Sequence, residues 1–295
     1  MVEKTTEVSS EHLERDAAHD DILLICVNYL KPGETQRFVL SALDQSLNSS
    51  LRLVVVDNSP PLDARGSPGS VANDPRVTAI APGENLGYFG GAAAALKDHL
   101  KAHSMPEWVI VSNPDVYFPD RGVLQRLFDS HRGDAPAVVA PSIRTKGSSV
   151  EQNPYMRVRP SRFRMHVYRW IFSAYPIDAM YQGLSWVKHR ALEAASTERP
   201  APPASSPEKI YAPQGAFIAF HRSYFERGGN FDHGAFLFGE EIFVGETARR
   251  LGLTVLYDPA LVIEHTERST AAGLFNRTTS RYRRQASRYL ARTFF

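Results

Sequence analysis

WVIVSNPDVYF, residues 108–118, opens as an apolar run, breaks at Asn113-Pro114-Asp115 and then turns hydrophobic again. Trp108–Ser112 has the near-continuous hydrophobicity of a strand covered on both faces, which is the habit of parallel sheets. Pro114 has no N–H to give to a ladder, so the strand stops there. Proline explains the stop. It does not explain why a carboxylate, Asp115, stands at the end of what reads as a central strand.

The same pattern recurs upstream. ILLICVNY (Ile22–Tyr29) and LRLVVVDNS (Leu51–Ser59) are apolar runs that close on Asn28 and Asp57. Between them Thr35–Ser46 has helical spacing; RVTAIAP (76–82) reads as a shorter strand, and GGAAAALKDHLKAH (90–103) as a helix. This alternation predicts an α/β fold: a Rossmann-like, mostly parallel sheet with helices on both faces. Farther on, strands are read at Ala137–Ile143, Ala212–Arg222, LTVLYD (253–258) and LVIEH (261–265). Phe163–Ala174 has helical apolar spacing, EEIFVGETARRLG (240–252) reads as a helix, and Ala271–Phe295 as a basic helical extension. Arg199–Lys209, rich in Pro, Ala and Ser, reads as a flexible loop.

Composition narrows the function classes. The chain has 295 residues, 43% hydrophobic and 22% charged, with a net charge of +2, so no general attraction to nucleic acid is implied. Cys26 is the single cysteine, which excludes an intramolecular disulfide and the usual structural zinc sites. Residues 1–20 are polar and read as a flexible tail without the apolar core of a signal peptide. No run is long enough to span a bilayer, so the expected place is the cytoplasm, with peripheral contact at the inner face of the cell membrane.

In an open parallel sheet ligands collect at the carboxyl ends of strands, where Asn28, Asp57, Asn113 and Asp115 are expected. An isolated acid after a strand is also a common turn former or helix cap, and that plain reading stands beside the functional one. ENLGYFGGAAAAL (Glu84–Leu96) adds Gly87, Gly90 and Gly91 before a helix, a form that admits a diphosphate or a close helix–sheet contact. Its G-x-x-G-G spacing is not the dinucleotide fingerprint. Glu240 and Glu241 follow the apolar FLFG at a helix start; there they either meet the helix dipole or form a sheltered acid–base pair.

The ordered set VNY, VVVDNS, ENLGYFGG, SNPDV, QGAFIAF, GGNFDHGAFLFGEEIF and VIEH, spanning Ile22 to His265, resembles family 2 glycosyltransferases of the glycosyltransferase-A fold, in particular bacterial rhamnosyltransferase-like members. The resemblance implies a nucleotide-sugar-binding half at 21–130, an acceptor-binding and catalytic half at 131–265, and the basic extension at 266–295. It makes Asp57 the acid that meets the nucleotide base, suited to an imide N–H because a carboxylate only accepts. Asn28, Asn85, Gly87 and Asn113 fall around the donor nucleotide. Asp115 of Asn-Pro-Asp takes the place of the metal-binding acid, with His265 completing a site for Mg²⁺ or Mn²⁺. Glu241 takes the place of the general base, with Glu240 orienting the loop or touching the acceptor. In place of the asparagine that often follows the Gly-Gly pair in the family, this chain has Ala92 and Ala93.

The implied reaction is inverting transfer from a UDP- or dTDP-sugar, dTDP-rhamnose among them, to a hydroxyl of a glycan or polyprenyl-linked acceptor. Arginines at 157, 159, 162, 164 and 169, and at 277, 281, 283, 284, 288 and 292, suit an anionic membrane surface or, equally, a solvated helix face or an oligomer contact. No nucleic-acid module accompanies them. A nucleotide-dependent oxidoreductase is the alternative of another class, and a non-catalytic nucleotide-sugar-binding relative is the third.

Overall fold

Near-continuous apolar runs occupy the middle of the sheet: β1 (Ile22–Asn28), β2 (Leu51–Asp57) and β4 (Trp108–Ser112) are buried almost along their whole lengths. The computed structural model describes residues 22–47, 50–60, 73–131, 136–146, 151–195, 206–266 and 276–295. The tail read at 1–20, most of the loop read at 199–209 and residues 271–275 of the C-terminal extension lie outside these. β3 (Val77–Ile80), β5 (Val116–Tyr117), β6 (Val138–Thr145), β7 (Glu208–Ile210), β8 (Phe217–His221) and β9 (Val255–His265) complete the described strands. Their order is β3-β2-β1-β4-β8-β6-β9-β5, with β7 also on β9. β3, β2, β1, β4, β6 and β9 run one way; β8, β5 and β7 run against them, so the sheet is mostly parallel as expected.

Strand alternation divides the core into two layers. Leu23, Ile25, Val27, Val54, Val56, Val109 and Val111 face α2 (Tyr88–His99), α7 (Glu240–Arg250) and α8 (Arg277–Thr293) through Phe89, Ala92, Phe243, Leu290 and Phe294. Ile22, Leu24, Cys26, Leu53, Val55, Trp108 and Ile110 face α1 (Pro32–Leu43) and α3 (Val123–Ser130) through Phe38, Val39, Leu124 and Leu127. α4 (Arg162–Ile171) and α5 (Tyr175–Ala195) pack on α8, and the short α6 (Arg222–Glu226) follows β8.

Several boundaries differ from the sequence reading. α1 begins at Pro32 rather than Thr35, because a proline at the first helical position lacks only an N–H that would be orphaned anyway. Of Ala212–Arg222 only Phe217–His221 is strand. Phe163–Ala174 is divided, with α4 ending at Ile171 before α5 begins at Tyr175. Glu208 and Lys209 belong to β7 rather than to a loop. LTVLYD and LVIEH form one strand: the β6 register shifts between Pro141 and Ser142, and the resulting bulge takes in Pro259, which has no N–H for the ladder.

Candidate active site at the carboxyl ends of the strands

β2, β1, β4 and β9 deliver Asp57, Asn28, the Asn113–Asp115 turn and His265 to one edge of the sheet, where a polar chain links four of them. Asn28 Nδ2 donates to Asp57 Oδ1 at 2.9 Å, and the Ser59 N–H donates to the same oxygen at 3.1 Å. Asn28 Oδ1 accepts from the Lys31 N–H at 3.0 Å, and Lys31 Nζ then reaches Asp115 Oδ2 at 2.7 Å. Asp115 Oδ1 lies 3.2 Å from His265 Nε2, whose Nδ1 lies 3.0 Å from Gln152 Oε1. Burial alone would raise the Asp115 carboxyl, but hydrogen bonds and positive charge from His265 and Lys31 override it and hold the group at about 2.

The Asp115–His265 pair fits a divalent cation. Gln152 Nε2 donates to Thr145 Oγ1 at 2.9 Å, which turns the amide oxygen toward the imidazole, so Nδ1 carries the proton. Nε2, 3.2 Å from Asp115 Oδ1, is then the ring nitrogen that a cation would take. One oxygen and one imidazole nitrogen, the latter oriented by an amide, are donor types that Mn²⁺ or Mg²⁺ accepts, and the remaining positions would have to come from a substrate or water. The Lys31 ammonium on Oδ2 shows that this carboxylate already attracts positive charge. Among the described residues there is no cluster of three or more His, Cys, Asp and Glu side chains, so the protein supplies few ligands here.

The glycine loop holds its shape through neighbouring asparagines. Gly87 has φ +75, and a Cβ there would come 2.0 Å from the carbonyl oxygen of Phe236. Its N–H donates to Asn85 Oδ1 at 2.9 Å, while Asn58 Nδ2 donates to the Gly87 carbonyl at 2.9 Å. Asn85 is therefore a turn former in this structure. Gly91 lies against Val27 and Val56, which is the helix–sheet contact that the plain reading of the glycines predicts.

Phe238 and Gly239 both have left-handed backbone, with φ of 72 and 86, and they swing the chain into α7 with its carboxylates at the helix start. Glu240 is 5% exposed, and its buried Oε1 has no hydrogen-bond partner among the described residues. Burial, with the neighbouring charge of Glu241, pushes its carboxyl up to about 8. Glu241 is half-buried and accepts from the Gly215 N–H, and burial raises it as well. Gly215 is the residue that permits this approach, since a Cβ would stand 2.9 Å from Glu241 Oε1. Tyr88 OH donates to the Gly215 carbonyl at 2.7 Å. Its phenol is raised first by burial and then by Glu240, Cys26, Glu241 and Asp115, which places the acid pair and Asp115 in one electrostatic neighbourhood. Glu241 is also the first cause, ahead of burial, of the raised Tyr155 phenol.

The half-buried Asn113 lies between these two groups, its N–H donating to the Ala216 carbonyl at 2.8 Å. Lys31, Gln152, Tyr88, Tyr155 and Gly215 were not singled out from the sequence. Asn58 was legible within VVVDNS, although its role in holding the glycine loop was not.

No family model matches the chain. N-acetylglucosaminyl-diphospho-decaprenol L-rhamnosyltransferases from two strains of Mycobacterium tuberculosis are 26% identical over 259 residues, covering 85% of this chain and 78% of theirs. Among solved structures, GalNAc-T7 with UDP, GalNAc and Mn²⁺ aligns with a TM-score of 0.54 at 13% identity. The alignment covers 84% of this chain and 43% of that longer chain. The fold is the glycosyltransferase-A fold, and the similarity to rhamnosyltransferases bears out the resemblance read from the motifs.

Proposed function

We propose that the protein is an inverting glycosyltransferase that moves a sugar, rhamnose among the candidates, from a UDP- or dTDP-sugar to a hydroxyl of a lipid-linked glycan in cell-surface polysaccharide synthesis. The observation that carries this reading is the polar chain Asp57–Asn28–Lys31–Asp115–His265 along the strand ends, in the same electrostatic neighbourhood as the raised Glu240–Glu241 pair. The relatives named as rhamnosyltransferases take N-acetylglucosaminyl-diphospho-decaprenol, which favours a polyprenyl diphosphate-linked acceptor here. No described helix is long and apolar enough to cross a membrane, and the proposed place is peripheral, at the cytoplasmic face.

In this reading Asp57 accepts from the imide N–H of uracil or thymine, and the Gly87 loop lies beside the nucleotide. Lys31 brings positive charge next to Asp115, where the diphosphate would lie. A divalent cation held by Asp115 and His265 supplies charge dispersal on the departing nucleoside diphosphate when it is bound. Glu241 takes the proton of the acceptor hydroxyl as that oxygen attacks the anomeric carbon from the face opposite the diphosphate. Burial and the charge of Glu241 favour the protonated form of Glu240, which leaves the more accessible Glu241 to accept the proton. The Gly215 N–H holds this carboxylate in place.

Calorimetric titration of UDP, dTDP and NAD into wild type and Asp115→Asn, with and without Mn²⁺, tests the site. UDP or dTDP should bind about tenfold or more tightly with metal in wild type, and the gain should vanish in the variant. NAD binding that ignores both metal and Asp115, without binding of UDP or dTDP, overturns the reading.

A further inference from the structure

α8 carries Arg277, Arg281, Arg284, Arg288 and Arg292 at intervals of three and four residues, so they form one stripe on a helix that contains no acid. The face opposite the stripe is buried through Ala286 and Leu290. Arg283, off the stripe, pairs with buried Asp178 at 2.9 Å and fastens α8 to α5. The stripe itself has no carboxylate partner among the described residues, and the buried Nε of Arg284 has no hydrogen-bond partner there. Arg281, Arg284, Arg288 and Arg292 line a cavity of about 570 Å³ that also reaches Gly234.

The position of this cavity matters as much as its charge. α8 backs the loop that leads to the acid pair: Phe236 lies 4.7 Å from the Tyr282 ring, and Cβ atoms on Gly234 and Gly239 would strike Tyr289 and Leu290. Of these residues Gly234 and Tyr289 also line the cavity, so an anion held by the arginines lies beside the start of the segment that leads to Glu241. α4 and α5, packed on the same helix, expose Phe163, Trp170, Met180, Leu184 and Val187. On α5 the outward residues 180, 184 and 187 form an apolar stripe, while Asp178 turns inward to Arg283. Guanidinium forks match phosphate oxygens, and an exposed apolar face on helices packed against the same helix matches a hydrocarbon chain. Nucleic acid would make no use of that apolar face.

We propose that the arginine stripe of α8 binds the diphosphate of a lipid-linked acceptor, with the lipid chain lying on the apolar face of α4 and α5. This rests on the glycosyltransferase reading and gives the acceptor side of that site its own anchor. The head group is held at α8, and the sugar it carries extends toward Glu241.

The test uses the full-length protein, with farnesyl diphosphate and farnesol as probes in saturating UDP so that the donor diphosphate position is blocked. Wild type should bind farnesyl diphosphate and prefer it to farnesol, and Arg284→Gln/Arg288→Gln should bind it about tenfold or more weakly with UDP affinity unchanged. Equal affinity of variant and wild type for farnesyl diphosphate overturns the site, as does equal binding of farnesol. Capture of wild type by phosphatidylglycerol vesicles without affinity for farnesyl diphosphate also overturns it and assigns the stripe to bulk headgroups. UDP binding measured in parallel separates the two readings. UDP or dTDP bound without farnesyl diphosphate removes this site alone; farnesyl diphosphate bound through the arginines, with neither UDP nor dTDP bound, removes the glycosyltransferase reading and leaves a phosphate site.

Discussion

The two sides of the candidate site treat their carboxylates in opposite ways. On the side built from β1, β2 and β4, Asp57 and Asp115 each receive donors from neighbouring strand ends, and Asp115 is held at about 2. On the side built from the β8 entry and α7, Glu240 is buried with an unsatisfied oxygen and pushed to about 8, and Glu241 is raised as well. One side keeps Asp115 ionised and surrounds both acids with donors, as a site for a nucleotide and a cation would require. The other raises both carboxyls through burial, which strengthens them as proton acceptors and suits a group that must take a proton. Two left-handed residues in succession, Phe238 and Gly239, hold the second side in place.

The sharpest way to break this contrast is Glu241→Gln, which keeps the shape and the Gly215 contact but removes proton acceptance. Turnover should fall by about 10²–10⁴ while UDP affinity stays within about a factor of two in calorimetry. An active variant would move the base to Glu240. Loss of UDP binding along with turnover would mean that the two sides are not functionally separate.

The sides meet at Gly87 and Phe236, and Gly87→Ala tests that junction. The side chain would collide with a carbonyl and sit in left-handed backbone, a strain of ~1–2 kcal/mol before the collision is counted. The melting temperature should drop by several degrees, and UDP affinity should fall with it. An unchanged melting curve would show that the loop gives way without disturbing its partner.

Asp57→Asn probes the donor side alone. Exchanging a carboxylate for an amide at a base-reading position should weaken UDP by about tenfold while leaving inorganic pyrophosphate unaffected. Equal weakening of both ligands would place Asp57 among the supports of the strand end and not against the base.

The donor side was the more legible of the two because its polar residues terminate apolar runs: Asn28, Asp57 and Asp115 each stand where a buried strand meets a turn. Lys31 gave no such signal. It follows the left-handed Leu30 in a connecting loop, and its partner Asp115 is 84 residues away. Tyr88, Gly215 and Gln152 likewise acquire roles only when distant segments meet. α5 escaped the sequence reading because its pattern is inverted, with Asp178 facing inward to an arginine and Met180, Leu184 and Val187 facing outward. β9 looked like two strands because Pro259 interrupts it, and only the register shift in β6 shows how one strand passes that point.

The smallest effect concerns stability and follows from the raised Glu240. Its carboxyl titrates near 4.5 in an unfolded chain and at about 8 in the folded protein, so across that interval the folded state binds a proton that the unfolded state has released. Stability from this group is therefore fully present below about 4.5 and is lost as pH rises through about 8. Glu240→Gln cannot ionise and should escape that loss. At about pH 5 the two proteins should melt alike, and at about pH 8.5 the variant should melt higher by roughly a few degrees. Superimposable melting temperatures across the range would mean that Glu240 ionises as readily in the fold as in the unfolded chain, and the contrast between the two sides of the candidate site would then rest on Glu241 alone.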